Sequence, residues 1–175
     1  MGVALLMISA SNAIASQTAE LVCAGGSCET YELHVHVSTG QDAGHQGAFG
    51  IFAVSESNQG VAYWTEANGW LPYSDRDLIK PTGRGLRTLE PRRDYIVFRG
   101  SKGALCKLSN GQSFNLYAWH SAMTVNQINR VKSFLNRFEI TGWQAENYWN
   151  SILFYQATAL KKGGMVFTQT CLRGE

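Results

Sequence analysis

Four cysteines and four histidines carry most of the reactive chemistry in this 175-residue chain. Cys23 and Cys28 enclose Ala-Gly-Gly-Ser. A thioredoxin-like redox pair needs only two intervening residues and a helix N-terminus to lower the thiol pKa. A zinc clamp needs a second close pair of ligands, whereas Cys106 and Cys171 stand far apart in the chain. Covalent pairing remains, and four cysteines allow three pairings; the favoured one is Cys23–Cys28, brought together by the glycine turn, with Cys106–Cys171. In the loop-entropy picture the short loop contributes about 2 kcal/mol and the long one about 4 kcal/mol.

His34 and His36 share one face of an alternating segment, a placement that metal sites use, and His45 lies in the loop that follows. No carboxylate stands at a recognisable follow-on spacing, although Asp42 is near. The pair therefore reads as a solvated strand face, and neither a metal nor a cofactor is expected. Trp119-His120-Ser121 puts a base next to a candidate nucleophile. Neighbours on an extended chain point to opposite faces, so His120 cannot activate Ser121. The chain holds no G-x-S-x-G elbow, phosphate loop or dinucleotide fingerprint. No catalytic residue is assigned.

Two features suit binding instead. Tyr63, Trp64, Trp70 and Tyr73 concentrate around Asn68-Gly69; alternation should send half of them to the core, and the candidates for an aromatic platform are drawn from Trp64, Trp70 and Tyr73. Residues 75–107 hold nine Lys or Arg against four Asp or Glu, with Arg84, Arg87, Arg92 and Arg93 as candidate contacts to an anionic partner. The chain as a whole carries only +2, so nucleic acid is not expected.

Strands must position most of these residues. Tyr31, Leu33, Val35 and Val37 alternate with Glu32, His34, His36 and Ser38, the period of a strand with one buried face. Residues 48–54, 61–65, 69–73, 95–99, 104–108 and 114–119 continue the strand pattern. Hairpin signals stand at Asn68-Gly69 and Asn110-Gly111, with a further turn at 57–60. Residues 74–94 read as a long surface connection. Thr124 and Gln127 form a capping box, followed by Val125, Ile128, Val131, Phe134, Leu135 and Phe138 at helical spacing. Thr141-Gly142 breaks that helix. A second spans about 144–161, with Tyr148, Trp149, Ile152, Leu153 and Tyr155, and 165–171 closes as a strand. The expected fold class is α+β: an antiparallel β-rich, sandwich-like core, then two C-terminal helices and a closing strand.

The N-terminal residues 1–15 carry no charged side chain, and Ala13 and Ala15 supply the small-x-small pattern of signal-peptide cleavage. The expectation is a leader at 1–15 and one disulfide-stabilised domain over 16–175, working in the periplasm, at the cell surface or as a secreted protein. The apolar run is too short for a transmembrane helix. With 45% apolar and 16% charged residues, the chain reads as a non-catalytic binding or assembly module of a surface filament, secretion apparatus or adhesin. Its expected partner is a protein or an anionic envelope glycan. The alternatives are a small secreted hydrolase or transferase using His34, His36, His45 or His120, and a polymerising subunit using its apolar N-terminus.

Overall fold

The computed structural model describes residues 15–26, 28–56, 61–72, 81–83, 85–109 and 111–171. The expected leader, apart from Ala15, lies outside the described residues, as do Tyr73, Arg84, Asn110 and the 57–60 turn.

Among the described residues nine strands and three helices follow one another as β1 (Ser16–Cys23), β2 (Tyr31–Ser38), β3 (Gln46–Ser55), β4 (Val61–Thr65), β5 (Gly69–Pro72), β6 (Arg87–Thr88), β7 (Arg92–Gly100), α1 (Lys102–Lys107), β8 (Phe114–Met123), α2 (Val125–Arg137), α3 (Gly142–Ala159) and β9 (Gly163–Gln169). A 3-10 turn, Gly40–Asp42, links β2 to β3. All strand pairs are antiparallel, in two sheets. One has the order β1-β2-β7; the other runs β5-β4-β3-β8-β9, with β6 on β3.

Alternation explains how the sheets stack. Leu33, Val35 and Val37 are fully buried and meet Phe49, Ile51, Phe114, Leu116 and Ala118 across the interior of a β-sandwich. The intervening residues of β3 and β8, among them Ala48, Trp119 and Met123, face the other way. There they meet Ile128, Val131 and Leu135 of α2 and Leu153 and Ala157 of α3. The architecture is thus α+β: a three-stranded sheet, a six-stranded sheet and a helical layer. Each fully buried Leu, Ile or Phe contributes roughly 1.5–3 kcal/mol relative to exposure.

Both disulfides form, Cys23–Cys28 with Cα atoms 4.9 Å apart and Cys106–Cys171 at 5.7 Å. No helix among the described residues is long and apolar enough to cross a membrane.

Several elements differ from expectation. Residues 104–108, expected as a strand, belong largely to α1. The Ser101 side chain accepts the Ala104 N–H at 3.2 Å and starts that helix. At its other end the Gly111 N–H donates to the Cys106 carbonyl, so this glycine closes a helix rather than a hairpin. The hairpin at Asn68-Gly69 has three loop residues, because Thr65 pairs with Gly69. The latter takes φ +66°, which favours glycine. The long connection is not free of structure: it contains β6, and β7 begins at Arg92, three residues before the expected start. Thr141 and Gly142 stand at the junction of the two helices, with Thr141 as the N-cap and Gly142 the first residue of α3, two residues before the expected start. The Thr124–Gln127 capping box is present. Val125, Phe134, Phe138 and Tyr155 are nevertheless exposed, off the buried stripes of their helices.

Candidate functional site

The described arginines of the basic segment are held by the chain's own carboxylates. Arg87 donates to Glu66 at 3.0 Å, to the Thr82 hydroxyl at 2.9 Å and to the Tyr95 hydroxyl at 2.8 Å. Arg93 donates to Glu90 at 2.8 Å and to Glu66 at 3.4 Å; Arg92 donates to Asp94 at 2.8 Å. Burial pushes the Tyr95 hydroxyl above its ordinary pKa, against the Thr82 hydrogen bond and the Arg87 charge. Trp64 and Trp70 are half-buried cross-strand partners packed against the sandwich core. The Trp70 indole N–H donates to the Val97 carbonyl at 2.7 Å.

The histidines fall into separate surroundings. His34 and His36 stand on the outward face of β2 with ring centroids 6.2 Å apart. His34 Nε2 lies 2.8 Å from Glu32, and His36 Nδ1 lies 2.7 Å from Asp94. The His34 hydrogen bond draws Glu32 below the usual carboxylate range despite some desolvation. Arg92 and then His36 do the same for Asp94. His45 is exposed in the turn before β3. Among the described residues no three such side chains group as metal ligands.

His120 is fully buried, near the end of β8 between the sheets. Its Nε2 lies 3.0 Å from Asp42 Oδ2 and its Nδ1 3.1 Å from the Gln17 amide nitrogen. With Gln17 donating to Nδ1, the proton sits on Nε2 and is given to Asp42. Both ring nitrogens are occupied, so the imidazole has no lone pair to offer a substrate. Burial lowers the His120 pKa, more than its bond to Asp42 raises it. Burial alone would raise Asp42; hydrogen bonds from Lys162 and His120 instead hold it low. Ser121 points to the opposite face and donates to Gln156 at 3.2 Å. The adjacent pair is therefore not a nucleophile and its base.

Among the described residues a concave feature lies on the helical side. One cavity of about 650 Å³ is bordered by the helix-facing side of β4–β5, through Tyr63 and Leu71, and by residues 81–83. A second, of about 640 Å³, lies between α2 and α3 and is bordered by Lys132, Trp149 and Leu153. Gly85, Glu146 and Asn150 line both, so the two form halves of one groove. Each half falls within the range of roughly 300–1,000 Å³ usual for small-molecule sites.

Asn150 is the unusual member of this lining. It is 4% exposed, and its Nδ2 has no hydrogen-bond partner among the described residues. It shares the buried stripe of α3 with Leu153 and Ala157, where an apolar side chain would fit. Glu146 lies one turn earlier on the same face, exposed at the rim and unpaired among the described residues. Sequence reasoning missed both. The available signal was an asparagine at an apolar position of the helical repeat.

Fold and site together define a disulfide-bonded antiparallel β-sandwich with a helical layer and, beside it, a largely apolar groove that holds a few polar side chains. No family model, curated protein or solved structure matches the chain.

Proposed function

We propose that this protein is an exported binding module that holds a ligand in the groove between α3 and the β4–β5 face, without chemistry of its own. The observation that carries the reading is the Asn150 amide, buried and unpartnered in a groove of ligand size. Leaving a buried donor unsatisfied costs about 1–3 kcal/mol, a cost that a ligand acceptor would remove. The hydrolase or transferase reading has less support, because His120 is occupied on both nitrogens and the other histidines face carboxylates or solvent.

Extracytoplasmic placement is supported by two disulfides and by the uncharged, alanine-terminated residues 1–15. The filament, secretion-apparatus and adhesin settings fit such a module equally. Intact mass of the exported protein should show loss of residues 1–15 and a gain of four hydrogens on reduction; four free thiols in the native protein would overturn the placement. A thermal-shift screen on oxidised protein should find a ligand that raises the melting temperature and does nothing for Trp149→Ala. Conversion of that ligand to product would replace the binding reading with the enzymatic one.

A further inference from the structure

The proposed binding role leaves the ligand's chemistry open, and resting on that role, we infer that the groove takes a neutral, hydroxyl-rich ligand: a saccharide segment. The argument runs through four side chains. Asn150 Nδ2 is a buried donor that needs an acceptor. Glu146, exposed at the rim and unpaired among the described residues, can only accept while ionised. Lys132, across the groove on α2, offers further donors. Half-buried Trp149 adds an indole to the wall between them.

A sugar hydroxyl both donates and accepts, so adjacent hydroxyls on one ring can satisfy Asn150, Lys132 and Glu146 together. The apolar C–H face of the same ring suits an aromatic surface. Other ligand classes fit less well. An apolar ligand would leave the Asn150 donor unsatisfied. An anion would meet Glu146 and Glu66 against Lys132 alone among the described lining residues, while the Arg87 and Arg93 guanidinium groups are already engaged by carboxylates. A peptide added as a strand needs a free main-chain edge. The strand beside the groove, β5, ends at Pro72, which has no N–H to donate.

The test is titration of the full, disulfide-intact protein with three probe sets: neutral oligosaccharides from a broad glycan array, acidic oligouronates, and an extended neutral peptide. Binding is read by NMR shifts of the Trp149 indole and the Asn150 amide. The expected result is that a neutral oligosaccharide binds with little dependence on salt. Asn150→Leu should weaken that binding at least tenfold without lowering the melting temperature, and Trp149→Ala should abolish it. If Asn150→Leu does not fold, Trp149→Ala carries the comparison. Tighter binding of the uronate, lost in Trp149→Ala, overturns the assignment of a neutral ligand, and tighter binding of the peptide overturns the saccharide; either leaves the groove as a binding site. Silence from all three probe sets overturns the groove as well.

Discussion

Asn150 and Gly50 show how single residues report on this molecule in opposite ways. Asn150 holds a polar group where packing against Leu153 and Ala157 would be better served by leucine. Asn150→Leu should therefore raise stability by about 1 kcal/mol, since an unsatisfied donor is replaced by an apolar group of similar size. A shift of the urea midpoint to higher concentration checks this, and a lower midpoint would mean that the amide is satisfied in solution. Gly50 is required by contact: a Cβ there would lie 2.0 Å from the Trp119 ring, which covers the glycine from the neighbouring strand. Overpacking of this kind costs typically 1–3 kcal/mol, and Gly50→Ala should reach the upper end. Chemical denaturation measures it. The alternation of β3 was legible in sequence, but the need for glycine at position 50 was not, because the indole comes from 69 residues further along the chain.

At the scale of elements, local signals were read well where they were self-contained. Thr124 and Gln127 announce α2 because both partners of the capping box lie within one turn. Residues 104–108 misled because a short apolar stretch fits strand and helix alike, and the Ser101 cap and the Gly111 closure decide for the helix. That helix carries Cys106, which is fixed to Cys171 beyond β9. The two disulfides should therefore differ in worth. Replacing Cys106 and Cys171 with alanine should cost about 4 kcal/mol, against about 2 kcal/mol for Cys23 and Cys28, following the lengths of the loops they close. Thermal unfolding of the two double variants makes the comparison. Equal losses would show that loop length does not set their contributions.

For the whole molecule, the polar junction around His120 ties together segments that are distant in sequence. Gln17 comes from β1, Asp42 from the 3-10 turn, His120 from β8 and Lys162 from the connection between α3 and β9. Its protonation sets a pH dependence with a definite sign. The folded His120 binds a proton less readily than the unfolded chain, because burial lowers its pKa. Stability is then fully present above the ordinary histidine value of 6.5 and falls as pH drops from there toward the folded value. Asp42, whose folded pKa is also lowered, adds a second loss as pH falls below its ordinary 3.8. Denaturation midpoints should decline between about pH 7 and 5 in the native protein and decline less in His120→Gln. An unchanged slope in the variant would assign the effect to other groups.

The sequence by itself determined the buried face of β2 and the order of strands before helices, and it favoured the cysteine pairing that the structure shows. Each of these rests on local spacing: period two, helical period, and a glycine turn that closes one cysteine pair and leaves the other. Tertiary structure decided the rest. It paired Arg87, Arg92 and Arg93 with nearby carboxylates, packed the half-buried Trp64 and Trp70 against the core and occupied His120 on both nitrogens. It also brought Glu146 and Asn150 beside the β4–β5 face to make the groove. The physical reason is that charge pairing, desolvation and concavity depend on which distant surfaces meet, and residue spacing encodes only what lies within a turn or a strand.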